Sequence, residues 1–330
     1  ALMTALYRAG RQAEALDVYD EGRVLLDREL GVRPGEELRR LHLDILNQDP
    51  ALEVDREAGP PVWVSPAQVP AAVVGFTGRA EHLRRLDRLL AHADDRQPPP
   101  IAVITGTGGV GKTALAVHWA HRVRDRFPDG QLYVNLRGYD PDLPVGPGDA
   151  LAGFLRALGV SDIPSDGGER AARYRTLLAD RRVLVVLDNA GRVDQVLPLL
   201  PGGPSCFVVV TSRDRMSTLR VRYGAHGVDL DLLPLDDALR LLRATVGPRV
   251  DDEPGAVRAL VRSCASLPLA LGITAEIAAV RERTPLADIA EELADERRLL
   301  GVADDDHSIR TVFSWSLKTL DERCGLVFRF

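Results

Sequence analysis

The hydrophobic positions of this chain change their spacing along its length. From Leu2 to Leu46 they recur every three or four residues: Leu2, Leu6, Ala9, Ala13, Leu16 and Tyr19, then Leu26 and Leu30, then Leu38, Leu41, Leu43 and Leu46. That spacing predicts three amphipathic helices, interrupted at Gly10–Gln12 and stopped at Gly31–Gly35. The stretch 49–73 loses all periodicity and carries Pro50, Pro60, Pro61, Pro66 and Pro70. Proline cannot donate a backbone hydrogen bond, so an extended linker is expected there, with Val62, Trp63 and Val64 able to dock on a neighbouring surface.

A helix is predicted from Glu81 to Ala91. Four short runs then follow, Ile101–Thr105, Gln131–Leu136, Val183–Asp188 and Phe207–Arg213. Most are continuously apolar rather than alternating, which suits strands of a parallel sheet covered on both faces. Helices are predicted between them, after residue 113 and over 149–158 and 169–179. Beyond about residue 234 the strands stop, and 236–246, 255–263, 269–280 and 287–300 read as helices. Residues 308–330, with Phe313, Trp315, Leu317 and Leu320, open a further amphipathic element.

The chemistry centres on Gly106-Thr107-Gly108-Gly109-Val110-Gly111-Lys112-Thr113. It lies between a predicted strand and a predicted helix, the context in which such a run is a phosphate-binding P-loop. Glycines let backbone N–H groups turn inward around an anion, and the following helix aims its positive end at the same place. Lys112 would reach the β- and γ-phosphates and Thr113 would ligate Mg²⁺. The fold class expected is therefore an α/β P-loop NTPase domain with a doubly wound parallel sheet. An N-terminal all-α segment like tetratricopeptide hairpins and a C-terminal helical domain flank it.

Asp188 ends a buried strand downstream of the P-loop, where a carboxylate would hold Mg²⁺ together with Thr113. The next position, often a second acid that polarises the attacking water, is Asn189. An amide orients water but cannot take its proton, so Asp188 and Asn189 predict slow hydrolysis or none, unless Asp194 or a residue outside this sequence substitutes. Arg213 ends the following strand and suits the γ-phosphate, with a salt bridge to Asp214 or Asp188 as the structural alternative. Arg137 is a weaker candidate for the same task. Pro268 is placed for the first turn of a helix.

Composition narrows the setting. The chain has 330 residues, a net charge of −6 and no basic patch, which argues against a nucleic-acid surface within it. Cys206, Cys264 and Cys324 show no metal or disulfide spacing, no apolar run reaches the ~18 residues of a membrane span, and no signal peptide opens the chain. A reduced cytoplasmic protein is expected. The chain starts at Ala1 within a helical pattern and ends within the apolar run 326–328, so a fragment is expected too.

Taken together, Val74–Arg79, the P-loop at 106–113, the acid-ended strand at 183–188, Thr211-Ser212-Arg213 and Leu267-Pro268-Leu269 resemble the NB-ARC ATPases of the STAND class. The resemblance implies that Val74, Phe76, Arg79 and Pro268 line an adenine, that Arg213 senses the γ-phosphate, and that ATP and ADP with Mg²⁺ are the ligands. Upstream, Tyr7–Leu16 and Leu30–Gly35 look like a bacterial transcriptional activation domain, and the order resembles large regulators of the Streptomyces antibiotic regulatory protein type. By that likeness the parts are the end of the activation domain (1–48), the linker (49–73), the nucleotide-binding domain (74–233), an ARC-type helical domain (234–304) and the start of a winged helix (305–330). Ser266 stands where glycine is more usual. The implied function is a nucleotide-set switch in a transcriptional activator. Promoter DNA and RNA polymerase would be reached through an N-terminal domain outside these residues, self-association is expected to be open to it, and no membrane is involved. The alternatives are a P-loop ATPase working as an enzyme and a helical-repeat scaffold with a structural nucleotide.

Overall fold

The computed structural model describes residues 2–8, 11–30, 33–47, 63, 65–73, 75–92, 98–140 and 144–299. It divides into two compact units between residues 63 and 64. The first holds α1 (Leu2–Arg8), α2 (Gln12–Leu30) and α3 (Glu36–Leu46). Its small core is Met3, Ala15, Tyr19 and Ile45, with Leu6, Leu16, Leu38 and Leu41 packed against it. The stripe predicted from leucine spacing is thus out of phase at its ends. Leu2 and Leu43 are exposed, whereas Met3 and Ile45 turn inward, because Ala15 and Tyr19 of α2 fix which face is covered.

The second unit is built on a five-stranded, wholly parallel sheet. Its strands are β1 (Ile101–Thr105), β2 (Gln131–Asn135), β3 (Leu184–Ala190), β4 (Phe207–Ser212) and β5 (His226–Asp229), in the order β2-β3-β4-β1-β5. Helices α4 (Ala80–Ala91), α5 (Lys112–Arg122), α6 (Pro147–Ala157), α7 (Gly167–Leu178), α8 (Val193–Val196) and α9 (Ser217–Tyr223) connect and cover it. Then come α10 (Leu235–Val246), α11 (Arg249–Asp252), α12 (Pro254–Ser263), α13 (Pro268–Val280) and α14 (Leu286–Leu299).

Period-two alternation sorts each strand's apolar residues to two faces. Ala102, Ile104, Val186 and Val209 join one continuous core with Leu115 and Trp119 of α5, Leu242 of α10 and Leu271 and Ala275 of α13. Their neighbours Val103, Val185, Leu187, Val208 and Val210 are equally buried and point to the opposite face, where α6 packs against β2 and α7. Trp119, fully buried, lies 5.1 Å from Phe207 and donates its indole N–H to Asp87 at 3.0 Å, which ties α4 to α5. Burying a large apolar side chain of this kind stabilises by roughly 1.5–3 kcal/mol.

Three features depart from the pattern-based expectation. First, the pattern predicts neither β5 nor the short helices α8, α9 and α11; β5 has one large apolar residue, Val228, in four, so its edge position leaves little hydrophobic signal. Secondly, the region expected to be a linker up to residue 73 contributes to the sheet edge. Gln131 N–H donates to the Pro66 carbonyl at 2.7 Å, Gln68 N–H to the Gln131 carbonyl at 3.0 Å, and Ala67 bridges Gln131 in parallel. Prolines that cannot join a central ladder are tolerated on such an edge. Thirdly, β3 runs past Asp188 to Ala190 through a bulge, with register lost between Leu187 and Ala190. The remainder of the linker and the element expected over 305–330 lie outside the described residues.

The bulge packs against the loop after β2. Gly138 N–H donates to the Asn189 carbonyl at 2.8 Å, and Gly138 and Gly191 approach backbone to backbone, so a Cβ on either would overlap the other. Gly138→Ala is expected to destabilise this unit by about 1–3 kcal/mol. Gly153→Ala, mid-helix in α6 with open space around it, is expected to stabilise by about 0.5–1 kcal/mol. Denaturant unfolding of the two variants checks the pair.

Candidate functional site

The sheet order reverses around β1, which has β4 on one side and β5 on the other. The crevice at the carboxyl ends of strands beside such a switch point is where open α/β sheets bind ligands. Four sequence-predicted groups are carried there: the P-loop after β1, Thr113 at the start of α5, Asp188 on β3 and Arg213 after β4.

The P-loop's shape depends on backbone only glycine supplies. Gly106 sits at φ +146°, and a Cβ there would fall 2.6 Å from the Leu230 carbonyl oxygen. Thr107, Gly108, Gly109 and Val110 continue the turn into α5, with Val110 buried and Gly111 at the N-cap. Lys112 folds over the loop: its Nζ donates to the carbonyls of Gly106 at 2.9 Å and Thr107 at 2.7 Å. Burial, and then the nearby Arg213, hold its ammonium below the ordinary lysine value, while Asp188 opposes them.

Asp188 is 2 % exposed and accepts three hydroxyls. Thr113 donates to its Oδ1 at 2.8 Å, Thr211 to the same oxygen at 2.5 Å and Tyr133 to Oδ2 at 3.0 Å. Thr113 and Asp188, predicted as a metal pair, are thus in direct contact. Both are hard oxygen donors, which suits Mg²⁺ bound through one or two protein groups plus phosphates and water. Among the described residues no group of three or more His, Cys, Asp or Glu could cage a metal alone, as this mode requires none. Tyr133 and Thr211 were not read as site residues from sequence. For Thr211 a signal exists, since it lies next to the carboxyl end of the buried β4 and within the Thr211-Ser212-Arg213 run, whereas Tyr133 stands in the middle of β2, where no positional signal marks it.

Asn189 has a structural role that its chemistry as an amide did not suggest. It sits in the bulge at φ 56°, in the left-handed region where asparagine is among the best tolerated side chains. Its N–H donates to Thr211 Oγ1 at 2.8 Å and its carbonyl accepts from Gly138. Asp194, the acid considered as a substitute, lies on α8 in an exposed pair with Arg192 at 2.8 Å.

Arg213 does not pair with Asp214 or Asp188 among the described residues. Its guanidinium carbon instead lies 4.7 Å from the ring centroid of Tyr139. Arg137 is exposed, at φ 47°, with its N–H on the Asn135 side chain.

The remaining candidates flank the P-loop. Arg79, 7 % exposed, caps α4 from a left-handed conformation and donates from Nη2 to the Val110 carbonyl at 3.0 Å. Burial lowers its pKa, while Asp237 and Asp231 oppose the shift. Phe76 stacks on His118 of α5 at 4.1 Å. Val74 lies outside the described residues. Pro268 opens α13 with its Cγ 4.0 Å from where a Gly111 Cβ would stand, and Leu269 N–H donates to the Gly109 carbonyl at 3.2 Å. Ser266, just before it, adopts φ 53°, which gives a physical reason why glycine would be comfortable there.

Residues 1–46 match the family of bacterial transcriptional activator domains, and residues 75–202 match the AAA ATPase domain. The chain is 45% identical over 339 residues to the regulatory protein AfsR of Streptomyces coelicolor, covering 99% of this chain and 34% of that protein. It therefore spans about a third of the length of that relative. Over 53 residues it is 58% identical to the transcriptional regulator RedD of Streptomyces coelicolor, covering 16% of this chain and 15% of that one. Among solved structures, a STAND protein with a tetratricopeptide repeat sensor from Pyrococcus horikoshii aligns at 18% identity and a TM-score of 0.44, covering 78% of this chain and 41% of that one.

If Asn189 is set by its backbone conformation, Asn189→Gly is expected to change unfolding free energy by less than about 1 kcal/mol, and Asn189→Val to cost about 1–3 kcal/mol. Equal losses in both variants, measured by denaturant unfolding, would assign the need to the amide side chain instead.

Proposed function

We propose that this chain, which carries a bacterial transcriptional activator domain and an AAA ATPase domain and resembles AfsR along nearly its whole length, is the nucleotide-binding switch of a transcriptional regulator. The one observation that supports the switch best is the docking of α13 on the P-loop. Leu269 bonds to Gly109, and Pro268 stands beside Gly111. Whatever alters the loop's phosphates therefore alters the seat of the helical part that begins with α10.

In this reading ATP and ADP are the ligands. Lys112 and the P-loop N–H groups hold phosphates, and Arg213 senses the γ-phosphate. Thr113 and Asp188 would hold Mg²⁺, which supplies neutralisation of phosphate charge. Arg79, Phe76 and Pro268, with Val74, would flank the base. Closure with ADP would restrain the activation domain, and ATP would favour opening and self-association. Such a switch needs a ligand with different affinity for the two states, and a γ-phosphate contacting Arg213 is one source of that difference. Asp188 has no carboxylate next to it in sequence and Asp194 is paired elsewhere, so turnover would be slow. Nucleotide-binding residues 74–233, the helical residues 234–304, the tetratricopeptide-like character of residues 1–48 and a winged helix from 305 remain parts of the same proposal. So do a cytoplasmic location and the reach to promoter DNA and RNA polymerase through segments outside this chain. Among the described residues no helix is long and apolar enough to cross a membrane.

Lys112→Ala is expected to weaken both ATP and ADP by at least about tenfold, or ~1.4 kcal/mol, in calorimetric titration. Solution scattering of the wild-type chain is expected to give a smaller radius with ADP than with a non-hydrolysable ATP analogue, and phosphate release is expected well below ~1 per second. Superimposable scattering profiles would remove the switch, and enzyme-like turnover would favour a working ATPase.

A further inference from the structure

Tyr139 stands in the loop after β2, outside every motif read from the sequence, yet its side chain reaches the end of β4. Its hydroxyl accepts from the N–H of Arg213 at 2.8 Å and from the N–H of Asp214 at 3.1 Å, and it hydrogen-bonds Ser212 Oγ at 2.9 Å. Ser212 in turn donates to the Ala190 carbonyl at 2.7 Å and accepts from the Asp214 N–H at 2.9 Å, which ties the same point to the β3 bulge. The face of the Tyr139 ring meets the Arg213 guanidinium, whose carbon is 4.7 Å from the ring centre.

One side chain therefore fixes both the backbone and the charged head of Arg213. The electrostatics explain why that is needed. Arg213 lies close enough to Lys112 to disfavour its positive charge. Two cations facing one site repel each other, and an exposed arginine gains rotamer entropy by swinging into water. A ring face that attracts the guanidinium, together with a pinned main chain, opposes both tendencies.

We propose that Tyr139 is a positioning residue that holds Arg213 ready for the terminal phosphate and so sets the preference between ATP and ADP. The inference rests on the reading of Arg213 as the γ-phosphate contact. Preorganisation lowers the ordering cost of binding, so its loss falls on the ligand that uses Arg213 and spares the ligand that does not.

The test is calorimetric titration of ADP and a non-hydrolysable ATP analogue, each with Mg²⁺, into the wild type, Tyr139→Leu, Tyr139→Phe, Arg213→Ala and the Tyr139→Leu/Arg213→Ala pair. Tyr139→Leu is expected to weaken the ATP analogue about two- to fivefold while leaving ADP unchanged. Tyr139→Phe keeps the ring and loses the hydroxyl bonds, so a smaller loss in the same direction is expected. In the Arg213→Ala background the tyrosine change is expected to do nothing more. Thermal melting identifies a leucine variant that fails to fold, and the phenylalanine variant then carries the test. Equal weakening of both nucleotides, or a further loss in the Arg213→Ala background, overturns the proposal. An unchanged ATP-to-ADP ratio in Arg213→Ala itself sinks the reading of Arg213, and the role of Tyr139 falls with it. Failure of the wild type to bind either nucleotide refutes the nucleotide switch as a whole.

Discussion

A single hydrogen bond, from the amide of Leu269 to the carbonyl of Gly109, joins the first turn of α13 to the loop that would cradle phosphate. It is weak taken alone, about 1 kcal/mol net. Its importance comes from what stands on either side. The loop cannot shift freely, because Gly106 lies against the Leu230 carbonyl and Lys112 is bonded over two loop carbonyls. The helix cannot shift freely either, because Leu271 and Ala275 are buried in the core that includes β1, β3 and β4. A movement that carries the start of α13 away from the loop has to break this seat, and the site is where a ligand's charge could bias the outcome.

The start of α5, strand β2 and the carboxyl ends of β3 and β4 meet in one network rather than as independent motifs. Asp188 takes hydroxyls from Thr113, Thr211 and Tyr133, and Thr211 also receives the N–H of Asn189. The bulge that makes this possible puts Asn189 in a left-handed conformation and brings the Gly138 loop onto β3. That loop delivers Tyr139 to the end of β4. The Asp188 carboxylate, the strand irregularity and the arginine's anchor thus meet along one short stretch of β3 and the loop packed on it.

Much of this was legible in the sequence because burial on two faces demands continuous apolar strands. Ile101–Thr105 and Phe207–Ser212 announce themselves in that way, and the glycine run between a strand and a helix is specific. The start of α13 at Pro268 was legible from proline's fixed φ. What could not be read has physical causes. The edge strand β5 carries too little apolar surface to show a period. The bulge after Asp188 hides at the end of an apolar run, although Asn189 is a residue type that such a backbone favours. Residues 65–70 read as linker because proline content reports missing donors and not missing acceptors, and Pro66 docks through its carbonyl. Tyr139 sits in an irregular loop, where no spacing rule marks the side chain that reaches back to a strand end.

The most direct measurement is hydrogen exchange at the Leu269 amide, followed in the ADP-bound chain and in the chain bound to a non-hydrolysable ATP analogue. The account predicts slow exchange with ADP and clearly faster exchange with the analogue, as α13 leaves its seat on Gly109. Equal protection in the two states, with both nucleotides demonstrably bound, would contradict it.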